Sequence, residues 1–167
     1  MSWVKIKNAL MTRAVNHPQV NSFGTGDPLA IGTDNVINLR TSDRDRIAYP
    51  LVFADVISAQ AGRGVLTLTV QCYWMDRVED LRGLDATISG SVVYRWTDNE
   101  DEVLSDQLRT AQDFIASLTD DPDEIWTLQE SVALTRFVEA RDDKVAGWTA
   151  ALSFDIPWGH SVCEIPT

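Results

Sequence analysis

Two histidines and two cysteines are the side chains here best suited to zinc binding or nucleophile–base chemistry: His17, His160, Cys72 and Cys163. Cys163 lies three residues from His160, and no further Cys or His follows at zinc-ligand spacing, so no metal is expected. Spacing gives no support to a Cys163–His17 nucleophile pair. Both cysteines sit in strand-like surroundings and read as small buried hydrophobes. Gly24-Thr-Gly26-Asp27 lacks the third glycine of a dinucleotide fingerprint and the Gly-Lys-Ser/Thr of a phosphate-binding loop, so it reads as a turn. The acidic pairs Asp120/Asp121 and Asp142/Asp143 fall in turns, where Asp satisfies nearby backbone groups, and they match no calcium-loop pattern. No catalytic residues and no cofactor are expected, and the chain reads as a non-enzyme.

What remains is charge and aromatic surface. The net charge is −11, and it is unevenly spread. Residues 97–130 hold eleven acids against the single base Arg109. The first 26 residues carry Lys5, Lys7 and Arg13 and no acid. Such a chain is a poor non-specific nucleic-acid binder, which needs a cationic face. The acids Asp98, Glu100, Asp101, Glu102, Asp120, Asp121 and Asp123 become candidates for an interface or for facing a channel. Six tryptophans are present. Trp74 and Trp148 fall on apolar strand faces and read as core; Trp3, Trp96 and Trp158 are the candidates for subunit contacts.

These groups need a scaffold. Trp3, Ile6, Leu10 and Ala14 recur at helical spacing, which predicts a helix over 3–15 ended by His17-Pro18. Residues 21–48 are rich in Asn, Ser, Gly, Thr and Asp and read as extended or loop, with room for a short strand at 29–31 or 36–39. Residues 49–57 and 65–75 read as strands joined by Ser58–Gly64, a hairpin. In the second, Leu66, Leu68, Val70, Cys72 and Trp74 share one face. Residues 87–96 alternate once more, with Ile88, Val92, Tyr94 and Trp96 on one side, as a third strand or an arm.

Residues 99–118 read as the clearest helix. Thr97 is the expected N-cap, with Glu100 reaching back in a capping box. Its apolar stripe is Val103, Leu104, Leu108, Ala111, Ile115 and Leu118, and Asp120-Asp-Pro-Asp123 ends it. A second hairpin is expected from 132–138, a turn at 141–144, and a return strand with Trp148, Ala150, Leu152, Phe154 and Ile156 on one face. Helix, hairpin, helix, hairpin implies an α+β fold: an antiparallel or mixed sheet of two hairpins with two helices on one face. No linker or repeat interrupts it, so 1–167 is read as a single domain, with a possible inserted arm at 77–96. No apolar run nears the roughly 18 residues of a membrane helix, and no signal-peptide core is seen, so a cytosolic origin and no membrane partner are expected.

Several stretches resemble a family of small structural proteins of tailed bacteriophages that infect Bacteroidetes-type bacteria. They are Asn21-Ser-Phe-Gly-Thr-Gly-Asp27, Tyr49-Pro-Leu51, Asp101-Glu-Val-Leu-Ser-Asp106, Trp126-Thr-Leu128, Asp142-Asp-Lys-Val-Ala-Gly-Trp148 and Cys163-Glu-Ile-Pro-Thr167. Residues 77–96 depart from that pattern. The element order is also similar to the tail terminator and connector proteins of tailed phages. The resemblance implies a tail terminator-like fold and a virion structural role at the neck or top of the tail. It implies a homo-oligomeric ring, commonly a hexamer, made in the host bacterial cytoplasm. Its partners would be itself, neighbouring neck and tail proteins, and genomic DNA that passes through without specific binding. The rival reading from the charge pattern is a small acidic protein-binding module, an inhibitor or DNA mimic, that uses residues 97–130.

Overall fold

The computed structural model describes residues 3–26, 48–79, 87–88, 91–92, 98–119, 126–129, 131–140 and 144–157. Among the described residues the fold is α+β, a mixed six-stranded sheet with two helices. In chain order the elements are α1 (Trp3–Asn16), β1 (Ser22–Thr25), β2 (Leu51–Ala61), β3 (Val65–Arg77), β4 (Thr87–Ile88), β5 (Ser91–Val92), α2 (Glu100–Thr119), β6 (Thr127–Leu128), β7 (Thr135–Ala140) and β8 (Lys144–Pro157). The strands of the sheet lie in the order β1-β2-β3-β8-β6, and β7 also pairs with β8.

Alternation governs the long strands. β2 pairs antiparallel with β3, and β3 with β8 along thirteen positions from Val65↔Pro157 to Arg77↔Val145. Leu68, Val70, Cys72 and Trp74 therefore stand beside Ala150, Leu152, Phe154 and Ile156 on one face, all buried. Both helices close that face. α1 lies over β1 and β2 and inserts Ile6, Leu10 and Ala14; α2 lies over β3, β8 and β6 and inserts Ala111, Phe114 and Leu118. The Phe114 ring meets Trp74 edge-on at 5.7 Å, and Trp126 meets Phe154 at 6.0 Å.

The α2 stripe differs from the expected one. Its buried face runs through Val103, Leu104, Gln107, Thr110, Ala111, Phe114 and Leu118, while Leu108 and Ile115 are only half-buried. The helix is rotated so that two polar residues enter the core. Thr110 is satisfied, since its single O–H has the Asp106 carbonyl at 3.0 Å and Gln19 Oε1 at 3.2 Å as acceptors within reach.

The far face of the sheet is divided. At the β7 end, Leu51, Phe53 and Met75 are buried among Tyr49, Tyr73, Phe137 and Val145, with Tyr73 edge-on to both Phe53 and Phe137. At the other end the same face carries Thr67, Thr69, Gln71, Thr149, Ser153 and Asp155, half-buried and linked by hydrogen bonds such as Thr67 to Asp155 at 2.6 Å.

Three strand readings change. β1 forms inside the stretch expected to be irregular and joins the sheet parallel to β2, Ser22↔Leu51 to Thr25↔Ala54. The alternating segment 87–96 is not one strand in its first half: β4 and β5 fold back on each other, Thr87↔Val92 and Ile88↔Ser91, as a ladder apart from the main sheet. Lys144, expected in a turn, opens β8. The short strands considered at 29–31 and 36–39 lie outside the described residues.

Candidate functional site

The acids at the start of α2 owe their placement to β8 and the end of β3. Asn99 stands just before the helix, where its carbonyl accepts the Val103 N–H at 3.0 Å. Its side-chain oxygen accepts the Glu79 N–H at 2.7 Å, which ties the helix entry to the chain leaving β3. The Asp98 carboxylate accepts the Glu100 N–H at 3.4 Å, so Asp98 supplies the side-chain cap. The Glu100 carboxylate points to β8 and β7, where it meets Lys144 Nζ at 2.6 Å and the Arg136 guanidinium. The expected N-cap, Thr97, lies outside the described residues.

Lys144 also reaches Asp98 at 2.7 Å. One ammonium thus bridges two carboxylates, and Arg136 adds a second cation. The hydrogen bond from Lys144 is the largest influence holding both Asp98 and Glu100 below the ordinary carboxylate range, and the same two bonds push Lys144 upward. Asp98 and Glu100, two of the candidate interface acids, are therefore neutralised within the chain. Asp101 and Glu102 are exposed, as are Asp106 and Asp113 further along α2. Asp120, Asp121, Asp123, Trp96 and Trp158 lie outside the described residues.

Trp3 is half-buried against the main core rather than fully presented to solvent. Trp74 is fully buried, and Trp148 is half-buried with its indole N–H donating to the Leu104 carbonyl at 2.8 Å. Trp148 thereby pins the second turn of α2 to β8, beside the Lys144 bridge. Trp126 is buried as well.

A cleft of about 230 Å³ opens where the end of α1 meets α2, lined by Pro18, Gln19, Pro50, Asp76, Asp106 and Gln107 among others. Burial pushes the Asp76 carboxyl above its ordinary range; the Arg77 N–H at 2.7 Å opposes this, and the charges of Asp106 and Glu79 add to it. Gln107 is 2% exposed, and its side-chain oxygen meets no donor among the described residues. The lining offers acceptors of hydrogen bonds, and among the described residues it includes no histidine, cysteine or serine.

Cys72 is buried in the core, and burial pushes its thiol well above the usual range. His17 sits at the end of α1, its Nδ1 accepting the Gln19 N–H at 3.2 Å and its Nε2 lying 3.9 Å from Asp113. Among the described residues no three His, Cys, Asp or Glu side chains gather closely enough to hold a metal, and no helix is long and apolar enough to cross a membrane. His160 and Cys163 lie outside the described residues.

Among the described residues β1 covers β2 only from Leu51 to Ala54, which leaves the outer edge of β2 without a partner from Asp55 to Ala61. Residues 57–61 are exposed. On the opposite side, among the described residues, β7 pairs with β8 alone, and Thr135, Arg136, Val138 and Glu139 are exposed. An unpaired strand edge is a row of backbone donors and acceptors prepared for another strand.

Compared with known proteins, the sequence matches no family model and has no significant match among curated proteins.

Proposed function

We propose that this chain is a virion structural protein of a tailed phage. It builds a homo-oligomeric ring at the neck or the top of the tail in the manner of a tail terminator or head–tail connector. The observation that carries this reading is the pair of exposed strand edges that the described residues leave on opposite sides of one sheet, with α1 and α2 stacked on a single face. A ring subunit presents two different lateral surfaces, one to each neighbour, and repeats that contact until rotation closes it. A sheet with two unequal free sides is suited to this. The resemblance of the Asp142–Trp148 stretch and of the other motifs to small phage structural proteins supports the same assignment.

The exposed acids Asp101 and Glu102 fit a surface turned toward a neighbouring ring or a channel. An anionic lumen repels DNA phosphates, so a genome passes without sticking. The rival reading, an acidic module that occupies a basic protein, draws on the exposed row Asp101, Glu102, Asp106 and Asp113. It loses two of its acids to the Lys144 bridge. Light scattering on the purified chain, alone at high concentration and mixed with its neck or tail neighbours, tests the ring. A closed oligomer in either setting is expected. A strict monomer in both, with salt-sensitive capture of a basic protein, favours the rival.

A further inference from the structure

We infer that the ring contact is made by strand addition, with β7 of one copy pairing antiparallel to the outer edge of β2 in the next. The inference rests on the ring reading above and specifies its interface. β3 runs opposite to β2, β8 opposite to β3 and β7 opposite to β8. β2 and β7 therefore point in opposite directions. Placing a second copy beside the first, same face up, sets the two free edges antiparallel without turning the molecule over.

Register follows from side-chain facing. Paired residues must share a face. Arg136 pairs with Trp148, so Arg136 and Val138 lie on the helix-covered face, while Thr135 and Phe137 lie on the other. On β2, Ala59 pairs with Leu68 and lies on the helix-covered face, whereas Ser58 and Gln60 pair with Thr69 and Thr67 on the other. Thr135 opposite Gln60, Arg136 opposite Ala59 and Phe137 opposite Ser58 satisfy every facing. The next pair is then Val138 opposite Ile57, the residue at the bulge of β2. Ile57 is 54% exposed and Val138 38%, and each is the large exposed hydrophobic of its edge. One register thus satisfies the backbone and covers both apolar side chains.

The geometry also suits closure. β7 lies level with Lys144–Thr149 of β8, while the free part of β2 lies level with Ala151–Ile156. Each copy is therefore offset from its neighbour by about six residues, roughly 20 Å along the strands. A stagger of this kind is what strands tilted to a ring axis require. The contact uses the free part of β2 and the outer edge of β7 in every copy, and the short strands β1 and β6 lie outside it.

Paired cysteines test it. In a Cys163→Ser background, Ile57→Cys and Val138→Cys sit on opposite edges with two strands between them. That is about 14 Å across the sheet, too far for a disulfide within one chain. On mild oxidation the double variant should run as a covalent ladder ending at the ring number. Each single variant should stay unlinked, and a mixture of the two singles should stop at dimers. If the parent chain assembles and the double variant does not link, or if Ile57→Cys links to itself, the strand-addition contact is wrong while the ring stands. If the parent is a strict monomer alone and with its neck or tail neighbours, the ring reading falls and the contact with it. Ile57→Lys and Val138→Lys give an independent readout. Each should shift the oligomer at least tenfold toward monomer with an unchanged circular dichroism spectrum, and unchanged assembly overturns the contact.

Discussion

A methyl group placed on Gly147 would stand 2.0 Å from the Trp74 carbonyl oxygen. β8 crosses β3 at this point with no room for any side chain, because Gly147 pairs with Met75 directly beside the buried Trp74. The obstacle is backbone, which cannot rotate aside. Gly147→Ala should destabilise the fold by about 2–3 kcal/mol, read as a lower midpoint in urea or thermal unfolding. An unchanged midpoint would show that β8 does not approach β3 this closely.

The Lys144 bridge should give stability a distinctive pH profile. Asp98 and Glu100 have lowered folded-state values, so their contribution is present above the ordinary carboxylate range and is lost as pH falls through it. Lys144 is raised, so its contribution is present below the ordinary lysine value and is lost as pH rises past it. The window of full benefit lies between about pH 5 and pH 10. Lys144→Met should remove about 1–2 kcal/mol inside that window and much less at pH 3, since the partly exposed geometry keeps each pair modest. Chemical unfolding at pH 3 and pH 7 checks this.

Asp76 acts in the opposite sense. Its carboxyl is raised chiefly by burial, so the folded state holds the proton more tightly than the unfolded chain does. Its contribution to stability therefore falls as pH rises through the carboxylate range. Asp76→Asn, which keeps shape without the charge, should leave the protein at least as stable as the parent at pH 7 and closer to it at pH 3. A large loss at pH 7 would mean that the carboxylate has a cationic partner in the folded protein.

Phe114 is the largest side chain that α2 places in the core, 1% exposed and edge-on to Trp74. Phe114→Ala should cost about 3–5 kcal/mol and loosen α2 from the sheet. Hydrogen exchange of the α2 amides would report it. Retention of full protection would assign the anchoring of α2 to Trp148 and the Lys144 bridge.

The readable part of the fold was the part with local periodicity. Leu68 to Trp74 and Trp148 to Ile156 alternate strictly because one face of each strand is buried, and the faces can be assigned without knowing the partner strands. Ile6, Leu10 and Ala14 are similar for α1. Elements that depend on distant partners left little trace. β1 is four residues long in a Gly-rich stretch, and its pairing is made by Leu51–Ala54. The two residues of β6 owe their pairing to Asp155 and Phe154. Gln107 and Thr110 are polar in type, yet on a helical wheel they fall beside Val103, Ala111 and Phe114 and so turn inward with them. Glu100 is a similar case, since its partners Lys144 and Arg136 arrive from β8 and β7. Lys144 closes the segment 141–144, which the sequence offers only as a turn.

The most direct measurement is the mass of the assembled protein, taken by native mass spectrometry on the chain at high concentration and bound to its neck or tail neighbours. A single closed multiple of the 18.6 kDa subunit is the expected result. A monomer under both conditions, or an open series of masses without an end point, would contradict the ring.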